Sequence, residues 1–403
     1  MSGGATVATS RYPGDDCWPT WQQELLLQAA LMRGPKALEA WDRWKASVDI
    51  EKLDPESLRL LPQLYDTLRR QGVSDLALGR LKAAYRRTWY DNHRLLHAMS
   101  GLLRSFHEAG IPTLLLKGAA LVSQYYRDYG LRPMYDVDIL IPASQPSPAL
   151  KLLTNLGYTP VWDTREESEV LARRHGWDFQ DAEGRQVDLH WRVFHDDVHP
   201  DADVEFWQGS VPVTIHGVQT RTLNAADQLL HVCVHGATWM DEPAVHWVAD
   251  ATAILRAVNG ELDWDRLLVQ ARRCRFTVLL RETLHYLRDV VDAPVPSAVL
   301  RRMDETPASR AERIVYKAKT RPPERWGPWL ALCVCYLEHA STLPPDTGLL
   351  RRLAGFPEYY RRRWTAGSIW ALAGAAALRG MRRIGWAVSA YGRRLISRRP
   401  SAT

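Results

Sequence analysis

The sequence is short of cysteine, of any secretory leader and, toward its end, of negative charge. Each shortage narrows what the chain can be. Only 5 cysteines occur in 403 residues. Cys17, Cys233, Cys274, Cys333 and Cys335 are scattered and form no CxxC pair, which argues against a disulfide scaffold and for a reducing cytoplasm. The opening MSGGATVATSRYPGDDCW has neither a basic n-region nor an apolar h-region, so no secretory leader is expected. No internal repeat and no long low-complexity stretch is visible, which removes repeat arrays from consideration. Residues 351–403 hold 12 arginines, no lysine and one acid, Glu358, for a net charge of +11. The whole chain carries +6, which leaves −5 for residues 1–350. The protein is therefore not a basic nucleic-acid binder along its length; only the tail is basic. Arginine outnumbers lysine throughout, and a GC-rich genome is the simplest cause.

What is present is a globular composition. The chain is 46% hydrophobic and 24% charged, with 17 tryptophans, enough for a sizeable core and two or three domains. Leu25, Leu26, Leu27, Ala30 and Leu31 form one helical stripe, and Leu58, Leu61, Leu64 and Leu68 a second. A long helix is expected from about Leu76 to His107, stopped by Gly110. The pattern then changes. Ile111 to Leu116 predicts a buried strand, Ala119 to Tyr126 a helix, Tyr135 to Ile141 a strand, and Pro148 to Leu156 a helix. Tyr158 to Trp162 predicts a strand and Glu166 to Arg174 a helix. Trp177 to Gln180 and Gln186 to Trp191 predict two strands joined around Asp181 to Gly184; Val211 to Ile215 and Val218 to Thr222 predict a hairpin. Beyond Leu223, helices are expected at 225–239, 243–258, 264–273, 277–291, 308–319, 326–340 and 346–353, with Asn224 as an N-cap. The expected division is a helical region at 1–110, an α/β core at 111–222, a helical subdomain at 223–345 and a basic tail at 346–403. The fold class is α+β, one mixed sheet between helical flanks.

The chemistry concentrates in Tyr135-Asp-Val-Asp-Ile-Leu-Ile141. Side chains alternate along a strand, so Asp136 and Asp138 share one face while Val137 and Ile139 enter the core. Carboxylates at i and i+2 sit roughly 6–7 Å apart at the backbone and repel by about 2–3 kcal/mol at an effective dielectric near 20. A divalent cation removes that cost. In Val187-Asp-Leu-His-Trp191, Asp188 and His190 share a face in the same way. Three carboxylates from two strands suit one or two hard cations, Mg²⁺ first, whereas ordinary surface carboxylates on a solvated strand edge are the plain alternative.

Leu116-Lys-Gly118 with the helix after it, followed by Arg132-Pro-Met-Tyr-Asp-Val-Asp-Ile-Leu-Ile141, resembles the uncharacterised nucleotidyltransferase family of the DNA-polymerase-beta-like superfamily. The superfamily pattern is a strand, a Gly-Gly or Gly-Ser turn opening a helix, then hydrophobic-Asp-hydrophobic-Asp on the next strand and a third acid later. Asp136 and Asp138 match the paired acids, Asp188 the third and Gly118 the first turn glycine. Ala119 departs from the second, and 17 residues separate Gly118 from Asp136. The resemblance covers about residues 110–260. It implies a nucleotidyltransferase-type mixed sheet core and Mg²⁺-dependent transfer of a nucleoside monophosphate from an NTP such as ATP, with two Mg²⁺ ions or Mn²⁺ on Asp136, Asp138 and Asp188. It leaves the acceptor open among a small molecule, a peptide and a protein. A toxin-like transfer to a tRNA 3′ end and a non-catalytic nucleotide-binding or scaffold role are the rival readings.

Around the acids, Lys117 and Gly118 sit where a strand gives way to a helix, a place that suits phosphate. Arg132 either grips phosphate or neutralises the acids. His190 either meets substrate, tunes Asp188 or is a structural histidine. His231 and His235 lie i, i+4 on one helical face, a spacing that suits zinc, cleft lining or plain packing; Asp227, Leu230, Trp247 and Asp250 have counterparts in the family. In the tail, Trp364 to Leu378 is apolar but about 15 residues long, short for a membrane span. With Arg379, Arg382 and Arg383 it reads as a packed terminal helix, a weak membrane-surface contact or an RNA contact.

Overall fold

The structure is a computed structural model that describes residues 17–161, 166–194, 203–238 and 244–321, with isolated positions beyond. The continuously described residues all belong to one compact unit. The helices expected at 326–340 and 346–353 and the whole basic tail lie outside the continuously described residues.

Four helices open the chain. α1 (Trp21–Leu31) starts at a capping box: the Gln23 N–H donates to the Thr20 hydroxyl, and the Thr20 N–H donates to the Gln23 side chain. α2 (Pro35–Ser47) and α3 (Pro55–Arg70) each place proline in the first turn, where no N–H partner is lost. α4 (Leu78–Glu108) runs 31 residues and ends ahead of Gly110 at φ +69°, a left-handed stop that glycine adopts without strain.

The sheet follows. β1 (Leu114–Leu115) leads into α5 (Lys117–Leu121), which widens into a π turn, Val122–Tyr126. Then come β2 (Asp136–Leu140), α6 (Pro146–Asn155), β3 (Thr159–Pro160), α7 (Glu167–Arg173), β4 (Gly176–Gln180) and β5 (Gln186–His190). α8 (Val204–Gln208), β6 (Val211–Ile215) and β7 (Val218–Thr222) complete it. The seven strands are ordered β3-β4-β5-β2-β1-β7-β6. The β2–β5 and β1–β7 pairs are parallel and the rest antiparallel, so the sheet is mixed. Six helices close the described chain: α9 (Ala225–Gly236), α10 (His246–Ala257), α11 (Trp264–Arg273), α12 (Thr277–Val291), α13 (Ser297–Glu305) and α14 (Arg310–Lys319).

The two faces of the sheet enter different cores. Val137, Ile139, Val187 and Leu189 pack with Leu96, Phe106, Ala120 and Leu150 from α4, α5 and α6. Leu114, Leu116 and Leu140 join a larger cluster with Leu26, Trp44, Leu64, Trp247 and Tyr286. That cluster draws on α1, α2, α3, α10 and α12 together. The helices before and after the sheet therefore share one core, although Trp44 and Trp247 stand 203 positions apart in the sequence. The architecture is α+β, as expected.

The boundaries moved in a few places. The first strand shortens to Leu114–Leu115, and the helix after it begins at Lys117 and ends as a π turn. Two helices without a sequence signal appear, α8 and α13. α13 follows Pro294 and Pro296, and Pro296 serves as its N-cap. No helix among the described residues is long and apolar enough to cross a membrane.

Candidate active site

The register of the sheet gathers the acids. Asp138 on β2 lies directly opposite Asp188 on β5 in a parallel pair. Asp188 in turn lies opposite Asp178 on β4 in an antiparallel pair. Three aspartates thus form a row across three adjacent strands, on the face turned away from Val137 and Val187. Asp138 is 2% exposed. Asp136, at the start of β2, is exposed. The two paired acids therefore sit at different depths, one at the mouth and one on the floor.

Two cations answer the floor. The Lys117 ammonium lies 2.6 Å from Asp138 Oδ1 and 3.7 Å from Asp188 Oδ2. His190 Nε2 lies 3.2 Å from Asp138 and 2.8 Å from Asp188. Burial works against charge on the Lys117 ammonium, but Asp138 and Asp188 push its pKa up to about 12. Burial also opposes charge on His190, yet Asp188 and Asp138 raise it to about 9. At neutral pH the imidazole is a cation bridging both acids. Asp138 and Asp188 are held below the usual carboxylate range against the cost of burial, Asp138 chiefly by Lys117 and Asp188 chiefly by His190. Asp136, although its side chain reaches solvent, is raised above the usual carboxylate range, first by the partial loss of water among its neighbours and then by Asp138.

Lys117 reaches this position at a conformational cost. Its φ is +41°, in the left-handed region, which costs a non-glycine residue about 1–2 kcal/mol. The ion pair with Asp138 offsets it. Gly118 is fixed by close packing: a Cβ there would lie 2.7 Å from Arg132 Nη1 and 2.9 Å from the Met134 sulfur.

Asp138, Asp188 and His190 present ligand atoms that all lie within 4.8 Å of one another. Two carboxylates, joined by the His190 nitrogen once an arriving cation displaces its proton, fit a small divalent cation. Asp136 stands outside that tight group. Among the described residues His190 Nδ1 is buried without a hydrogen-bond partner, so the ring's hydrogen bonds to the acids run through Nε2, with the His175 ring packed beside it at 5.2 Å.

The other expected residues fall into place around this floor. Arg132 is buried and clasps Asp250 of α10 with Nε and Nη2 at 2.8 and 2.9 Å. The Tyr126 hydroxyl donates to the same carboxylate at 2.8 Å, and Gln63 donates to Tyr126 at 3.0 Å. Arg132 is thus bound on two of its nitrogens, with Nη1 over Gly118. His231 and His235 of α9 line a pocket with Lys117, Arg132 and Asp250 that has room for about one water, 20 Å³. Burial, then Lys117, lowers His231 to about 3 and His235 well below its ordinary value. Both are neutral. Asp227, on the same helix, is taken up by Arg266 at 2.6 Å.

Asp178 was missed. Burial, then Asp188, with which it shares a hydrogen bond, raises it to about 6. The signal was present: a hairpin closed around Asp181 to Gly184 that pairs Gln180 with Gln186 also pairs residue 178 with 188.

The model of the family described as "uncharacterised nucleotidyltransferase" matches residues 56–292 of the 403. The chain belongs to this family. The match takes in α3, α4, the whole sheet and α9 to α12, well beyond the motif region at 110–260. No curated protein matches. Among solved structures, the chain is similar to the antibiotic-resistance factor ANT(2'')-Ia, at 13% identity over 48% of this chain and 99% of that one, with a TM-score of 0.32. It is similar to the lincosamide antibiotic adenylyltransferase LnuA, solved with lincomycin, at 14% identity over 40% and 94%, TM-score 0.28. It is also similar to an antigenic nucleotidyltransferase-like protein from Paracoccidioides brasiliensis, at 15% identity over 51% and 96%, TM-score 0.33.

Proposed function

We propose that this nucleotidyltransferase uses Mg²⁺ to move a nucleoside monophosphate from an NTP to an acceptor group, releasing pyrophosphate. The observation that carries this is the convergence of Asp138, Asp188 and His190 on one point at the floor of the sheet, with Asp136 at its mouth. Asp136, Asp138 and Asp188 are the residues to hold Mg²⁺ or Mn²⁺, with His190 Nε2 beside them. A divalent cation bound there supplies charge neutralisation for the phosphates and acidifies an attacking hydroxyl. The side chains do the rest. Asp188, next to the proton-sharing Asp178, is placed to receive the acceptor's proton. Lys117 holds the acids in the free protein and is the cation nearest to meet a triphosphate. Arg132 positions Gly118 and the Lys117 turn through its clasp on Asp250. Catalysis of this kind comes mainly from placement and electrostatics. A cytoplasmic location belongs to the same reading, resting on the scattered cysteines of the sequence.

The test is incubation of the purified chain with each α-labelled NTP and Mg²⁺ in a cell extract. Label is expected in one small-molecule, peptide or protein pool, with pyrophosphate released in equal amount. The pool that takes label identifies the acceptor; transfer to tRNA 3′ ends would select the toxin-like reading instead. A non-catalytic reading has one specific support: the Lys117 ammonium already supplies counter-charge within the acid group. Nucleotide binding without pyrophosphate, with or without Mg²⁺ or Mn²⁺, would select it and sink the transferase.

A further inference from the structure

A second cleft lies away from the acids. It is formed by the end of α1, α3, the π turn and α10, and its volume is about 590 Å³, within the range of about 300–1,000 Å³ common for small-molecule sites. None of Asp136, Asp138, Asp178 or Asp188 lines it. Its polar groups are mostly donors. Asp66, the acid on its wall, is taken up by Arg69 at 2.9 Å and Arg70 at 2.7 Å. Arg33 and Arg256 also line it, and neither forms an ion pair or hydrogen bond with any described residue. Gln71 Nε2, a further lining group, is buried with no hydrogen-bond partner among the described residues. Burial lowers the Arg256 pKa, and the positive charge of Arg33 lowers it further; the one acid lining the cleft, Asp66, is paired with Arg69 and Arg70.

Such an arrangement is costly in an empty protein, because like charges repel and a buried donor goes unmet. An anion offsets both costs. The remaining wall is apolar, from Ala30, Leu31, Met32, Leu131 and Ala249, with the Tyr125 ring beside them. Burial alone pushes the Tyr125 phenol up to about 12, so it stays neutral and can donate. We infer that this cleft is a binding site for a small organic anion, a phosphate or carboxylate joined to an apolar or aromatic body, held by Arg33, Arg256 and Gln71. Tyr126 also lines the cleft, and its hydroxyl donates to Asp250, the partner of Arg132, which sets the cleft one hydrogen-bonded step behind the nucleotidyltransferase site.

The test uses phenyl phosphate, titrated into the full chain without Mg²⁺ and followed by calorimetry. Phenol and inorganic phosphate serve as the half-ligands. Phenyl phosphate should bind, more weakly at high salt, and better than either half. The Arg33→Gln, Arg256→Gln double variant should bind it about tenfold more weakly or worse, while Asp136→Asn should bind it unchanged. Arg33 is exposed, so Arg33→Gln alone keeps the fold and should still show a loss if the double variant does not fold. Absence of binding to the wild type, equal binding to Arg33→Gln, or loss of binding in Asp136→Asn alone would each overturn the assignment.

Discussion

Arg132 and Lys117 are both enclosed cations within the same stretch of chain, yet they are satisfied in opposite ways. Arg132 has a dedicated partner: two of its nitrogens meet both oxygens of Asp250, and Tyr126 completes that carboxylate. Lys117 has only a share. It and His190 divide two carboxylates between them, with Asp178 and Asp136 adding negative charge nearby. The helix side of the cleft is a closed hydrogen-bonded unit, and the sheet side is an open one in which partners can be exchanged. A structural ion pair needs the first arrangement. A site that must admit phosphate and metal needs the second.

The largest expected effect breaks the open side. Asp138→Asn should cut Mg²⁺-dependent pyrophosphate release by about 10³-fold or more, with an unchanged circular dichroism spectrum, since Lys117 and His190 keep Asp188. Unaltered turnover in that variant would remove the proposed chemistry. The closed side should fail in the opposite sense. Arg132→Met leaves Asp250 buried and unpaired, which should cost about 3 kcal/mol of stability, read as a lower urea midpoint. A variant that stays equally stable but loses nucleotide affinity would assign Arg132 to the ligand instead.

A third test concerns a pair of the closed kind farther from the chemistry. Glu56 of α3 accepts from the Val245 N–H at 3.1 Å and pairs with His246 at 2.8 Å. Burial raises the Glu56 pKa, but His246 outweighs it and brings it from 4.5 to about 2. A depressed carboxylate contributes stability above its unfolded pKa. The contribution should be whole above about pH 5, and fade as pH falls from 4.5 toward 2. Glu56→Gln should lower stability at pH 7 by about 2 kcal/mol, and the difference from wild type should vanish near pH 2. A constant gap across that window would disprove the linkage. The smallest effect belongs to Asp178. Its raised pKa has the opposite sign: the folded chain holds that proton more tightly, so stability falls as pH rises from 3.8 to about 6. Asp178→Asn should therefore stabilise the metal-free protein at pH 7 by on the order of 1 kcal/mol, and make no difference below pH 4. Titration melts without divalent metal would show it.

The comparison also explains what could be read from sequence. The open side was legible because a strand's alternation is local: Asp136, Val137, Asp138 and Ile139 declare their faces without knowledge of the rest, and Asp188 with His190 repeats the pattern. Register was also countable, and a count from the Asp181 to Gly184 turn would have found Asp178. The closed side was not legible. Arg132 and Asp250 are 118 residues apart, and nothing in either neighbourhood names the other. The same holds for the shared helical core, where Trp18 stacks on Tyr286 with ring centres 4.9 Å apart. The differing depths of Asp136 and Asp138 also escaped sequence reasoning, because strand alternation gives direction and says nothing of how far a strand runs under its neighbours.

The π turn at Val122–Tyr126 carries a further consequence. A helix advances about 100° per residue, and a π turn absorbs one residue more than the regular winding would hold. Val122 to Tyr126 therefore act as a phase setter, aiming Tyr125 and Tyr126 before the chain turns back toward Arg132 and β2. Removing one residue there would swing both phenols round the axis while leaving every carboxylate in the sequence. Transplanting the acid strands into another scaffold would meet the same difficulty. The spacing between Gly118 and Asp136 is thus better regarded as a gear than as slack.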